Sequence, residues 1–478
     1  MRRLIAMALV LALSLVPTAV ATADETLTRP LYVTNFGPRP GSDVGPPPGI
    51  SVFAMTRDGQ AELTGPLVEA GSKLRGLVLT PDGRHAYVAG MTAGSAPQLT
   101  TFAVGDDGGL TRTASTPLHD TEPFGIAIAP DGRTLYITGL LRNVVEIFQI
   151  AGDGSVRPLG DPVTVPVANP RGVAVSPNGR LLFVSHGLPS DSEPDVLTVY
   201  ERRVDGAIRP IGEPVSVGAA ATGIGVTPDG RFLYVANHRS NSVSGFAVGA
   251  DGRLTAIPGS PFPAFELPTD VAITPDGRNL YASAGGSHDP EFQGFVLGFS
   301  IAADGRLTLV PGGRFRAGQA PSSLSPTPDG RHLVVSSHLS SGITVFRVAR
   351  NGTLDRRGPD IPTTGQDPAF QAVTFLPNAA PGAAFSTVQD GTTARFDATA
   401  SSDRDGRVAR FDWDFGDGTR VGDAGPRPVH EYAEPGVYRV TLTVTDDEKC
   451  STTQIYTGQK ILCDGDSAAR TSRELKIT

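Results

Sequence analysis

Thr227–Asn237 reads TPDGRFLYVAN. Pro228 pre-sets a turn backbone, Asp229 can bond its own main chain, and Gly230 supplies a positive φ. Phe232, Leu233, Tyr234 and Val235 then form an apolar run too short for a helix, so the stretch predicts a tight turn followed by a strand. The same sentence recurs as TPDGRHAYVAG from Thr80, APDGRTLYITG from Ala129, SPNGRLLFVSH from Ser176, TPDGRNLYASA from Thr274 and TPDGRHLVVSS from Thr327. Its turn glycines, Gly83, Gly132, Gly179, Gly230, Gly277 and Gly330, stand 47 to 53 residues apart. A period near fifty marks a repeat architecture.

A second sentence alternates with the first: ISVFAMTRDGQAEL, LTTFAVGDDGGL, VEIFQIAGDGSV, LTVYERRVDGAI, VSGFAVGADGRL, VLGFSIAADGRL and ITVFRVARNGTL. These seven copies turn at Gly59, Gly108, Gly154, Gly206, Gly252, Gly305 and Gly352. Each predicts an aromatic-centred strand, a hairpin turn and a short strand. With the strand before each PDG turn, as in PRGVAVSPNG, one repeat is four strands. The middle strands are apolar on both faces and must be covered on both sides, which stacked radial sheets achieve. LYVTN, Leu31–Asn35, opens on a second strand with no first, and PAFQAVTFLPN, Pro368–Asn378, is a first strand with no second. Pairing them closes a ring of seven blades over 31–377 and removes two open edges.

YVTN at Tyr32–Asn35, YVAN at Tyr234–Asn237 and the PDGR turns resemble the YVTN-repeat and lactonase-like seven-bladed propellers. The resemblance covers nearly all of 31–377. It implies the fold; some relatives are sugar lactonases and others are exported surface or binding proteins. Residues 380–478 differ in pattern. Val437–Val444 alternates as a half-buried strand. Phe411, Trp413, Phe415-Gly416-Asp417-Gly418, His430, Tyr432, Pro435-Gly436, Tyr438 and Asp446 resemble a PKD domain, an immunoglobulin-like module, with Trp413, the single Trp, as core anchor. The expected fold is therefore all-β: a seven-bladed β-propeller, a short linker near 378–382 and a C-terminal β-sandwich.

Arg2 and Arg3, the apolar run Leu4–Val16 and Ala21-Thr22-Ala23 predict a secretory signal peptide over 1–23. No cysteine follows the apolar run, so no lipoprotein anchor is expected. The two cysteines, Cys450 and Cys463, suit a disulfide in an exported protein. It would close a hairpin extension, CSTTQIYTGQKILC, ahead of the last strand. The formal net charge is −8 and no basic run is present, which argues against nucleic acid and anionic membrane as partners. The expectation is a secreted monomer that does not insert into a membrane.

In a propeller, the loops joining second and third strands share one face with the links between blades. Four consecutive blades carry a histidine there: His186, His238, His288 and His338. Asp191, Glu193, Asp195, Asp289, Glu291 and Arg239 lie nearby, and inner strands begin near Arg75, Arg171 and Asp270. These suit a catalytic or ligand-binding face; solvated loops of ordinary polarity are the plainer reading. Sheets about 10 Å apart argue against one metal shared by four histidines. The loop Phe36–Ile50 suits a lid, and Asp403-Arg404-Asp405-Gly406 is spaced like part of a calcium loop. No cofactor is expected. Sugar lactonases of the resembling family carry a histidine-rich stretch before an inner strand, whereas Pro123-Phe124-Gly125 and Pro170-Arg171-Gly172 hold no histidine. The expected function is a binding or surface-interaction module for an extracellular carbohydrate, protein or small molecule. The competing class is a lactone hydrolase or isomerase, using His186, His238 or His338 as base and Arg171 or Arg239 to hold a carboxylate or developing oxyanion. Arg75, Asp270 and His288 are the candidates for ligand binding.

Overall fold

The computed structural model describes residues 28–37, 48–92, 95–119, 122–187, 195–285, 293–368 and 370–478. The signal-peptide expectation, most of the Phe36–Ile50 loop, and Asp191, Glu193, His288, Asp289 and Glu291 lie outside them.

Each TPDGR turn is built as its residue types require. In the 227–232 copy, Thr227 Oγ1 donates to Asp229 Oδ1 at 2.6 Å, which also accepts the Arg231 amide at 3.0 Å. The Gly230 amide bonds Thr227 O at 2.8 Å and Gly230 sits at φ 72°, a conformation costly for any residue with a Cβ. The turn therefore folds from its own atoms, and it joins the first two strands of a blade. Seven such blades form, each an antiparallel sheet whose main path has four strands. The fourth blade, for example, runs Pro170–Val175, Leu181–His186, Val196–Arg202 and Ile208–Pro210. The ring closes where the termini were expected to meet: Leu31, Tyr32 and Val33 pair with Phe375, Thr374 and Val373.

The two repeated sentences also bond to each other across blades. Tyr32 donates its hydroxyl to Gly108 O, Tyr87 to Gly154 O, Tyr136 to Gly206 O, Tyr234 to Gly305 O and Tyr281 to Gly352 O, at 2.6–2.9 Å. The tyrosine of one blade's second strand thus satisfies a turn carbonyl of the next blade's outer hairpin. Each such buried bond contributes about 1 kcal/mol, and the set fixes the spacing between blades.

Residues from Phe385 onward form the sandwich. One sheet holds Ser386–Asp390, Thr393–Asp397 and Val429–Glu431; the other holds Arg420–Val421, Val408–Asp414, Gly436–Asp446 and Arg470–Ile477. Trp413 is 2% exposed at its centre. Cys450 and Cys463 form the expected disulfide, with Cα atoms 5.5 Å apart. The segment near 378–382 is an ordered junction. Asn378 is buried; its amide donates to Leu462 O and its carbonyl accepts from the Asp464 amide, both at 3.0 Å.

Candidate functional site

Inner strands run from the loop face to the turn face, so the residues at their starts ring the channel mouth. Arg75 stands just before Leu77–Leu79 of the second blade. Phe124 is second in Pro123–Ile128 of the third, and Arg171 second in Pro170–Val175 of the fourth. Three neighbouring blades thus deliver an arginine, an aromatic ring and an arginine. The Arg75 guanidinium carbon lies 4.3 Å from the Phe124 ring centre and 5.0 Å from that of Phe36; Arg171 lies 5.8 Å from Phe124. Phe370, from the closing segment, packs on Phe124 at 5.2 Å. Burial lowers the Arg75 pKa to about 10, with Arg171 pushing the same way and Glu122, 3.7 Å away, opposing. Burial lowers that of Arg171 too. Its Nε is buried and makes no hydrogen bond. Gly187 makes room for it: a Cβ there would sit 2.7 Å from that Nε.

The histidines divide by one position in register. His186 ends a second strand, where Asn35 and Asn237 end theirs. Asn35 Nδ2 donates to Ser51 Oγ, Asn237 Nδ2 to Ser244 Oγ, and His186 Nε2 meets Thr198 Oγ1 at 2.8 Å, on the equivalent third-strand position. Its Nδ1 lies 3.2 Å from Ala168 O. The ring is fully buried, and burial lowers its pKa to about 4. Both nitrogens of His186 are occupied, so it is a blade-fastening residue with no nitrogen left for a substrate. His238 and His338 stand one residue further on, in the loops. His238 lies by Leu267 and Pro268; burial lowers its pKa, and Arg171 and Arg239 add to that shift. The structure therefore brings His238, Arg171 and Arg239 into one electrostatic neighbourhood. His338 Nδ1 pairs with the Asp367 carboxylate, which also acts on Arg75. Asp195 is buried and accepts the Ala221 amide at 2.9 Å. Asp270 does not reach the mouth; it is buried lower down, accepting the Val271 and Leu324 amides at 3.0 and 3.3 Å.

The family described as lactonase, 7-bladed beta-propeller, matches residues 49–222 and 253–369, more than half of the chain. This chain belongs to the lactonase seven-bladed β-propeller family. The PKD domain family matches 377–459. A putative 6-phosphogluconolactonase from Bacteroides uniformis superposes with TM-score 0.61 at 21% identity, over 73% of this chain and 99% of that one. A periplasmic gluconolactonase from Pseudomonas aeruginosa superposes with TM-score 0.55 at 21% identity, over 72% and 99%. At such identity the likeness is one of fold.

Within the lactonase propeller, Phe124, Asp367 and Gly187 lie at the candidate site, and the sequence pattern alone did not single them out. Asp367 lies in the closing segment, far in sequence from His338's blade loop and from Arg75. A signal for the histidines was present: alignment of the second strands places His186 on the motif asparagine and the other two beyond it.

Between the lactonase propeller and the PKD domain lies an acidic group. Asp403 and Asp405 were candidates for a cation. Both Asp403 oxygens and Asp405 Oδ1 are buried without a hydrogen-bond partner, so these three could take one. Asp405 Oδ2 instead accepts Arg29 at 2.9 Å and the Ala379 amide at 3.1 Å. Cys450, Cys463 and Asp464 also lie together, but both sulfurs are spent on the disulfide. Burial, and then Asp405 and Asp446, raise the Asp403 pKa to about 7; burial raises Asp446 and Asp464 to about 6. These three carboxyls thus keep protons in the folded protein that the unfolded chain has lost between about pH 4 and 7, and their contribution to stability falls as pH rises through that window. Burial lowers the pKa values of His186, His238 and His332, which act in the opposite sense below about pH 6.5, so the acidic group is read from a variant. With chelator present, Asp403→Asn is expected to raise the melting temperature at pH 8 by more than at pH 5. An equal change at the two pH values would refute this account.

Proposed function

We propose that the loop face of the propeller binds a small, carboxylate-bearing sugar derivative, such as an aldonate or its lactone, at the Arg75–Phe124–Arg171 mouth of an exported protein. The supporting observation is the pair of partly dehydrated guanidiniums over one aromatic ring, with Arg171 Nε holding no partner. Such groups gain most from an anion that brings bidentate acceptors. Phe124 offers an apolar face to a sugar ring.

Hydrolysis is a second reading, favoured by the His338–Asp367 pair beside Arg75. A carboxylate on Nδ1 fixes the tautomer in which Nε2 is the basic nitrogen, the one that would take a proton from water as it attacks a lactone carbonyl. Arg75 would then face the developing oxyanion.

Calorimetric titration with gluconate tests binding, and proton release from glucono-δ-lactone tests turnover. Arg171→Gln is expected to abolish detectable binding. Gly187→Ala should weaken it about tenfold or more, because the new methyl displaces the Arg171 side chain; one lost charge-assisted bond corresponds to about 1.5–3 kcal/mol. His338→Ala should spare binding and abolish turnover if the second reading holds. Binding unchanged in both Arg171→Gln and Gly187→Ala would end the first reading. Wild-type turnover in His338→Ala would end the second.

A further inference from the structure

The PKD domain sends one element away from its own sandwich. The disulfide-closed hairpin 450–463 carries two short strands, Ile455–Tyr456 and Ile461–Cys463, and its tip lies inside the propeller channel. Tyr456 donates its hydroxyl to Ile128 O at 2.7 Å, on the third blade's inner strand. Gln459 Nε2 donates to Val173 O at 2.7 Å and Gly458 O accepts the Val175 amide at 2.8 Å, on the fourth. Thr457 O accepts the Val226 amide at 3.1 Å, on the fifth, and Lys460 Nζ donates to Leu324 O, on the seventh. Inner strands have no partner on their channel side, so Val175 and Val226 offer amides that only an inserted chain or water can satisfy. Glycine at 458 is required by close approach: a Cβ there would meet Ala174 and Val226 at 3.2 Å, and its φ is 103°.

Tyr456, Thr457 and Gln459 are buried, at 1%, 9% and 8% exposure. Lys460 is half-buried and less enclosed than these three, although its ammonium reaches an inner strand of the ring. Its ammonium faces Asp270, the buried carboxylate that falls short of the mouth. Burial, opposed by Asp270, lowers its pKa to about 8. With its ammonium held between Leu324 O and Asp270 on inner strands, the surface Lys460 retains faces the lumen.

We propose that the 450–463 hairpin is a built-in plug, which turns the propeller's through-channel into a blind pocket open at the Arg75–Arg171 mouth, with Lys460 as its floor. The plug defines a role for the second domain inside the first: it supplies a pocket residue and ties four blades together. The inference concerns the pocket's construction and goes beyond the ligand reading; neither of its tests requires a ligand.

Two measurements on the full-length protein test it. The chain has only four lysines, Lys73, Lys449, Lys460 and Lys476, so peptide mapping resolves each. At pH 8, acetic anhydride is expected to acetylate Lys460, while a polyethylene-glycol-linked succinimidyl ester modifies the other lysines and spares it. Failure of acetic anhydride to modify Lys460 while it modifies the others, or equal modification of Lys460 by the bulky ester, would overturn its place as the floor. Hydrogen exchange tests the plug. In Tyr456→Ala/Gln459→Ala the amides of Val175 and Val226 should exchange about tenfold faster or more than in wild type, with the Gly436–Asp446 strand of the sandwich unchanged. Equal protection of Val175 and Val226 in both proteins would overturn the plug. Should the double variant not fold, Gln459→Ala alone gives the same comparison at Pro170–Val175.

Discussion

Arg29→Met is expected to destabilise the protein by about 3–5 kcal/mol, the cost of leaving buried carboxylates without their partner. Arg29 lies on the closing strand of the ring and is 9% exposed. One Nη reaches Asp405 at 2.9 Å and Pro377 O at 3.2 Å; the other reaches Glu448 at 2.5 Å and Asn378 Oδ1 at 3.1 Å. One guanidinium therefore joins the seam that closes the propeller to the junction and to the PKD domain. Methionine keeps much of the volume and removes every donor. Burial already raises the Glu448 pKa to about 7 against the pull of Arg29, so this carboxyl is poorly placed without it. The loss is measured by equilibrium denaturation at pH 8. Arg29→Met/Glu448→Leu should recover much of it, because the penalty belongs to the unpaired charge. A loss below about 1 kcal/mol in Arg29→Met, within the range of exposed pairs, would show that the cluster is solvated and carries little.

The architecture was readable because its information is local. A TPDGR turn bonds its own atoms, so six copies announce six blade starts wherever they lie. Closure was readable for a related reason: LYVTN and PAFQAVTFLPN are each half of a unit that the chain repeats in full elsewhere. What stayed hidden depends on which atoms meet across the ring. The Tyr136 hydroxyl finds Gly206 O 70 residues away only once the third and fourth blades stand side by side. Cysteine spacing pointed to the hairpin yet held nothing about its destination, since the receiving groups are backbone amides and carbonyls of Val173, Val175 and Val226. Arg75 and Arg171 could be named as mouth residues because inner-strand starts are legible. Their meeting over Phe124, and the pairing of His338 with Asp367, required the ring. His186 shows the opposite case: a chemically able residue whose register position buries it.

Trp413→Ala is expected to cost about 3–5 kcal/mol, the range for truncating a large buried aromatic residue. The indole has Phe385 and Phe396 at 5.2 Å and Phe415 at 6.1 Å, and its Nε1 donates to Gly425 O at 3.1 Å. Both sheets of the sandwich converge on it, with Phe396 from one and Trp413 itself from the other. Alanine would leave a void bounded by rings that cannot collapse without moving both sheets. A domain of this size has about 5–15 kcal/mol in total, so the variant should unfold at much lower denaturant concentration. The transition is followed by near-ultraviolet circular dichroism, because the variant lacks the chain's single tryptophan. Trp413→Phe separates the two contributions: it keeps most of the packing and loses the bond to Gly425, which is worth about 1 kcal/mol. Its loss should therefore be less than half that of alanine. Equal losses in the two variants would place the energy in the hydrogen bond, and a loss under about 1 kcal/mol for alanine would mean that the aromatic cluster is not the sandwich's core.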